Sequence, residues 1–224
     1  MSGLTTSQTP PSPSALNRVL PHLVLHNFLE EHLAFRLLEY AVAHEAAFRP
    51  SQVFRRHSGR VDPQARVSVA TRRLGPFGPI LRRKLLGLAP EFLAALQSTP
   101  VEAPEVELEL VAHNDGAFYA RHTDTVRASN EVRVLSGVYY FHAKPKAFTG
   151  GALRLLPIGD PTGSVHVDIE PADNSLVIFH AWAPHEVRPV SCPSRRFAAS
   201  RFAINCWIYR RRGPGDGASS TPGP

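Results

Sequence analysis

A chain of 224 residues, 43% hydrophobic and 20% charged, can bury one ordinary core, and none of its apolar runs reaches the roughly 20 residues of a membrane-spanning helix. The formal net charge is +6, much of it in clusters such as Arg72-Arg73, Arg82-Arg83-Lys84 and Arg210-Arg211-Arg212; a solvated basic surface is the plainer reading, an acidic protein or nucleic acid the sharper one. Two cysteines, Cys192 and Cys206, form neither a metal spacing nor a disulfide framework, and the N-terminus lacks the basic and apolar regions of a secretory signal, so a cytoplasmic protein with no membrane attachment is expected.

Residues 1–15 are rich in Ser, Thr and Pro, and residues 213–224 in Gly, Ser and Pro. Neither stretch can bury enough apolar surface to offset its ordering entropy, so both are expected to be disordered tails. The remainder, 16–212, suits a single domain. Leu23 to Leu29 reads as a short strand or extended entry. Glu30 to Ala46 carries Leu33, Leu37 and Ala41 on one stripe, flanked by Leu38 and Val42, with Glu30 and Glu31 at the positive end of the dipole; this predicts a helix. A second helix is predicted over Ile80–Leu88, and a third from Pro90 over Glu91–Gln97, because proline fits a first turn but not a helix interior. The helical part is thus placed at 16–100.

After Pro100 the period changes. Glu105 to Leu110 alternates strictly, which predicts a half-buried antiparallel strand. Further strands are predicted at Val134–His142, Ala152–Leu156, Ser164–Ile169, Ser175–Phe179, Glu186–Val190 and Arg201–Tyr209, with turn signals such as Asn114-Asp115-Gly116, Thr149-Gly150-Gly151 and Gly159-Asp160-Pro161 between many of them. The expected fold is α+β: N-terminal helices packed on one sheet of a double-stranded β-helix, or jelly-roll, core over 101–212.

The candidate chemistry is a metal centre. His122 and Asp124 are two residues apart and project to one face of an extended chain, and His185, held between Pro184 and the next strand, is the best-placed third ligand. Two imidazoles and a carboxylate suit Fe(II) with open positions left for other ligands. The chain carries eleven histidines; His180 follows a strand end rather than opening a strand and is set behind His185. On the last strand, Phe202, Ile204, Cys206 and Ile208 form an apolar face expected against the helices, while Arg201, Ala203, Asn205 and Trp207 form a mixed face suited to a ligand-binding interior. An arginine buried there needs a carboxylate, supplied either by a cosubstrate or by an acid of the core.

In order and spacing, three blocks resemble the iron(II)- and 2-oxoglutarate-dependent dioxygenases, specifically their prolyl-hydroxylase branch: His113 to Asp124; Gly137-Val138-Tyr139-Tyr140-Phe141 with Gly150 to Arg154; and Pro184 to Pro189 with Arg201 to Trp207. The resemblance implies iron bound by His122, Asp124 and His185, and 2-oxoglutarate held by Arg201 and Tyr140. It implies Leu153 and Asn205 in the pocket lining and His113 where the family often has tyrosine. Arg133 lies where hypoxia-sensing prolyl hydroxylases place an arginine near the substrate. Fe(II), 2-oxoglutarate and dioxygen follow as cofactor and cosubstrates, with ascorbate as an accessory, and a prolyl residue of a protein or peptide as substrate, with succinate and CO2 released. Ser191 to Ser200 looks inserted, and Arg195 inside it, ten residues after His185, rivals Arg201 for the cosubstrate. This segment and Thr125–Arg133 are candidate substrate gates by position. The alternatives are an oxidative demethylase of nucleic-acid bases, a hydroxylase of a free amino acid or other small molecule, and a jelly-roll binding module with a structural metal. Nucleic acid is the disfavoured partner, and oligomeric state is left open.

Overall fold

The computed structural model describes residues 18–55, 58–125 and 131–211. The tails expected at 1–15 and 213–224 lie outside the described residues, as do 126–130 of the expected gate. The chain opens with β1 (His22–His26) and helix α1 (Glu31–Ala43), followed by a 3-10 turn over Glu45–Ala47 and the short strands β2 (Arg49–Pro50), β3 (Val53–Arg55), β4 (Ser58–Arg60), β5 (Arg66–Val67) and β6 (Val69–Thr71). Helix α2 (Phe77–Ala95) precedes β7 (Glu105–His113), β8 (Phe118–His122) and β9 (Glu131–Phe141). Then come β10 (Thr149–Gly150), β11 (Leu153–Leu155), β12 (Val167–Ile169), β13 (Ser175–His180), β14 (His185–Val187), β15 (Val190–Ser191) and β16 (Arg201–Arg211).

Two antiparallel sheets face each other: a seven-stranded sheet ordered β1-β13-β9-β16-β7-β6-β2 and a five-stranded sheet ordered β12-β11-β14-β8-β5. This is the expected jelly-roll, and period-two alternation divides the large sheet between two cores. Leu110, Tyr139, Leu176, Ile178, Phe202 and Ile204 pack with Leu37, Ala41, Leu81, Leu85 and Phe92 of the helices. Tyr140, Val177, Phe179 and Ala203 point the other way, onto Leu153, Leu155 and Ile169 of the small sheet. Asn174 ties the layers where β1 leads into α1: its side chain accepts from the Leu29 N–H at 2.9 Å and from the Tyr139 hydroxyl at 2.9 Å, and donates to the Leu29 carbonyl at 2.8 Å.

Four expectations need correction. Pro90 does not start a third helix; α2 runs through it without a break. Leu81, Leu85, Ala89, Phe92 and Leu93 form one continuous buried stripe, and that burial outweighs the N–H lost at proline. Helix α1 stops at Ala43 rather than Ala46, where the chain tightens into the 3-10 turn. The first hundred residues are not purely helical, because β1, β2 and β6 join the large sheet and β5 joins the small one. The strand expected from Ser164 begins only at Val167, since Asp160 draws residues 162–165 into a turn: it accepts from the N–H groups of Thr162, Gly163 and Val165 and from the hydroxyls of Thr162 and Ser164. Both cysteines are free and buried. Among the described residues, no helix is long and apolar enough to cross a membrane.

Candidate active site

Strands β8 and β14 pair so that His122 lies opposite His185, next to a bulge between His185 and Val187 that re-aims the side chains. Asp124 follows β8 and is anchored by its backbone N–H to the Ala181 carbonyl at 2.8 Å. The three side chains converge: His122 Nε2 lies 3.7 Å from Asp124 Oδ1, His185 Nε2 lies 3.6 Å from Asp124 Oδ2, and one ligand atom from each lies within 4.8 Å of the others. Both imidazoles are oriented alike. Nδ1 of His122 meets the Ala120 carbonyl and Nδ1 of His185 meets the Ala183 carbonyl, each at 2.9 Å. A carbonyl only accepts, so each Nδ1 carries the proton and each Nε2 turns its lone pair to the common centre.

The surroundings keep the set ready for a cation. Burial, with the neighbouring His185, lowers the His122 pKa to about 3, so the ring is neutral near neutrality. Burial would raise Asp124, but His185, His122 and hydrogen bonds from Ser136 and Trp207 hold it down, to about 2. The Ser136 hydroxyl donates to Asp124 Oδ2 at 2.6 Å, and Tyr119 stacks on the His122 ring with centroids 3.6 Å apart.

A cavity of about 140 Å³ runs inward from this triad. At its buried end, sheet register brings three further residues together. Arg201 of β16 lies directly opposite His113 of β7, and Tyr140 of β9 pairs with Ala203, one same-face position along from Arg201. Arg201, Tyr140 and His113 are 1%, 0% and 2% exposed. Arg201 Nη1 donates to His113 Nδ1 at 3.2 Å, and its guanidinium lies 4.7 Å over the Tyr140 ring, which sits behind the cavity wall rather than in it. Burial, then the charges of Arg201 and Arg66, keep the His113 pKa well below its ordinary value, so its one proton sits on Nε2. Burial pushes the Tyr140 hydroxyl up to about 12, so it too keeps its proton.

Four buried atoms here have no hydrogen-bond partner: Arg201 Nε, Arg201 Nη2, Tyr140 Oη and His113 Nε2. All four can donate. Gly151 makes the room; a Cβ there would lie 2.6 Å from Arg201 Cδ. Among the described residues no acid pairs with Arg201, so the ion pair with a core acid is not what satisfies it. Four unpaired buried donors, two on the guanidinium and two beside it, suit a carboxylate.

Leu153, Asn205 and Arg133 also line the cavity. Asn205 donates to Glu109 at 3.4 Å, while Arg133 lies 4.0 Å over the Trp207 ring and pairs with Glu107 at 2.6 Å. Arg195 is elsewhere: it is exposed, pairs with Asp115 at 3.1 Å and does not line the cavity. Nor does the rest of 191–200, whose Phe197 packs on Phe48 and Phe202, so the segment covers the helix-side core instead of gating the cavity. His180 is tied to the Leu96 carbonyl at 3.0 Å and to Ser98 at 3.2 Å, outside the triad. The sequence reading missed Ser136, Tyr119, Gly151 and the pair Arg66–Glu109 at 3.2 Å. Ser136 carried a usable signal, since it precedes Val138 and Tyr140 at period two on one face of β9.

The family model described as the 2OG-Fe(II) oxygenase superfamily matches residues 108–209. An uncharacterized PKHD-type hydroxylase of Synechocystis sp. is 41% identical over 137 residues, 59% of this chain and 45% of the relative, so the chain spans less than half of that protein's length. A prolyl-4-hydroxylase of Pseudomonas putida shares the fold with a TM-score of 0.62 at 24% identity, covering 86% of this chain and 93% of that one. A prolyl hydroxylase of Trichoplax adhaerens, in complex with a hypoxia-inducible-factor oxygen degradation domain peptide fragment, does so with a TM-score of 0.62 at 20% identity, covering 84% and 83%. The match to the 2OG-Fe(II) oxygenase superfamily model thus runs from Leu108 to Tyr209, over strands that stand in jelly-roll order.

Proposed function

We propose that the protein is an Fe(II)- and 2-oxoglutarate-dependent hydroxylase acting on a prolyl residue of a protein or peptide. The observation that carries the cosubstrate assignment is the set of four unpaired buried donors around Arg201 at the inner end of a cavity whose opening holds His122, Asp124 and His185. In this reading those three residues would hold iron through two Nε2 atoms and a carboxylate. The far carboxylate of 2-oxoglutarate accepts from Arg201, with Tyr140 Oη and His113 Nε2 as further donors, and Leu153 and Asn205 shape the wall. Bound iron and 2-oxoglutarate supply oxidative chemistry in which dioxygen yields succinate, CO2 and a hydroxylated product. The chain's own part is orientation. The Ala120 and Ala183 carbonyls fix the imidazoles, Ser136 fixes Asp124, and the apolar side chains of Val138, Leu153 and Val187 keep water from the region between triad and arginine.

The prolyl substrate is supported by the prolyl hydroxylases that share the fold and by the hydroxylase type of the Synechocystis relative. Base demethylation needs an aromatic face on which to stack a flipped base. Tyr119 is already stacked with His122 at 3.6 Å and has Arg66 over its ring at 4.9 Å, and Trp207 is covered on one face by Arg133. The test is succinate release from 2-oxoglutarate with Fe(II), alone and with a proline-containing peptide library, followed by mass spectrometry. The expected result is Fe(II)-dependent succinate formation and a product heavier by one oxygen on proline. Tightly held zinc with no 2-oxoglutarate turnover would point instead to a structural metal.

A further inference from the structure

The cavity mouth carries more positive charge than the proposed chemistry uses. Among the described residues Arg72 and Arg133 line it, facing Glu107, while the buried Arg66 lines the same cavity paired with Glu109. Arg66 is matched one to one by Glu109. Glu107, in contrast, serves two cations: Oε1 lies 2.7 Å from Arg72 and Oε2 lies 2.6 Å from Arg133. Both of its oxygens are occupied, and the trio keeps one net positive charge. Deeper in, a ferrous ion, Asp124, Arg201 and a doubly ionised 2-oxo acid cancel one another, so the excess at the mouth is not taken up by the cosubstrate. The trio is also held in place. The Arg133 guanidinium lies 4.0 Å over the Trp207 ring, and the Trp207 indole itself hydrogen-bonds Asp124, so this guanidinium is held near the triad.

We infer that the substrate presents a carboxylate to Arg72 and Arg133, close to the carbon that is hydroxylated. This deepens the reading above and rests on it for the position of the reacting carbon. Two sources offer that chemistry: an Asp or Glu side chain flanking the target proline in a peptide, or the main-chain carboxylate of a free amino acid. An unbalanced arginine pair discriminates by charge, since an anion gains charge-assisted hydrogen bonds and a cation meets repulsion.

The test is calorimetric titration of the full chain, loaded with 2-oxoglutarate and with Mn(II) in place of Fe(II) to prevent turnover. The probes are a capped peptide with proline between two aspartates, its asparagine and lysine versions, and free L-proline. The aspartate peptide is expected to bind about tenfold more tightly than the asparagine peptide, with the lysine peptide weakest and the margin shrinking as salt rises. Arg72→Gln and Arg133→Gln should each reduce the margin while leaving the affinity for 2-oxoglutarate unchanged. Arg72, 66% exposed, can be replaced without opening the core, so its variant guards against misfolding of the other. Should free L-proline bind with the same dependence on both arginines, the carboxylate is the main chain's and the substrate is a free amino acid. Equal affinity for the aspartate and asparagine peptides with free proline indifferent to both substitutions, a preference for lysine, or no binding of any acidic probe would overturn the inference. Loss of 2-oxoglutarate binding in the wild type breaks the proposed function instead, and the peptide margin on the metal-loaded protein still scores the mouth.

Discussion

The two ends of the cavity handle arginine in opposite ways. At the inner end Arg201 is 1% exposed, ion-paired with no acid among the described residues, and two of its nitrogens are unpartnered. At the mouth Arg72 and Arg133 are both ion-paired, and Arg133 lies over an indole as well. A buried guanidinium without a counter-ion costs several kcal/mol, a penalty that a fold retains where a ligand removes it. The inner end is therefore incomplete without an anion. The mouth is complete by itself and only biased toward one. On the proposed function, that contrast separates Arg201, which the site requires, from Arg72 and Arg133, which bias it toward anionic substrates.

The largest effect should come from abolishing the contrast at its buried end. Arg201→Met keeps volume and removes the charge. Binding of 2-oxoglutarate should weaken by ~2–4 kcal/mol, because its carboxylate would lose charge-assisted donors in a site without water to replace them. The ligand-free protein should at the same time become more stable, by ~1 kcal/mol after allowing for the donor that His113 Nδ1 loses. Thermal unfolding reads both: a higher Tm without ligand, by roughly 2–4 °C, and no further rise when 2-oxoglutarate is added, where the wild type rises by mass action. Unchanged 2-oxoglutarate affinity in this variant would remove Arg201 from the site.

A smaller effect is expected between the two ends. Ser136 touches neither arginine; its hydroxyl holds Asp124 at 2.6 Å. Ser136→Ala should lower metal affinity about tenfold, as for other residues that orient a ligand, with 2-oxoglutarate affinity of the metal-loaded protein nearly intact. Competition with a fluorescent chelator gives the first quantity and titration of the metal-saturated protein the second. A variant that loses both equally would mean that the triad and the inner end are one unit and not two.

Much of this arrangement was legible wherever a strand has two different faces. Alternation along β16 separated Phe202, Ile204, Cys206 and Ile208 from Arg201, Asn205 and Trp207, and the structure puts the first set on the helices and the second on the cavity. The same rule aligned Ser136 with Tyr140, though only the contact to Asp124 revealed its use. The choice between Arg195 and Arg201 was not local. It depends on the register that sets Arg201 opposite His113, a pairing 88 residues apart. Strands β2 to β6 are two or three residues long and have no period to read, so their sheet membership comes from their neighbours. Pro90 misled for the opposite reason: a strong local rule was overridden by burial of the whole α2 stripe.

The smallest effect belongs to an arginine outside the cavity. Arg154 of β11 meets Asp168 of β12 through two bonds of 2.7 Å, at the edge of the small sheet. Hydrogen bonding from Arg154 holds the Asp168 carboxyl below its usual range, against the opposing effect of burial. Its side chain is 37% exposed, so solvent screens most of that interaction and Asp168→Asn should cost under ~1 kcal/mol near neutral pH. The sign with pH is fixed. A carboxyl whose folded pKa is depressed contributes stability above its unfolded pKa, near ~4, and loses it as pH falls through the folded value. The wild type and Asp168→Asn should thus differ slightly in denaturant midpoint at pH 7 and converge well below pH ~4. A difference that persists in acid would mean that asparagine changes packing at the edge strand; a difference as large as that of Arg201→Met would show that pairing and burial do not grade these arginines as the two ends of the cavity suggest.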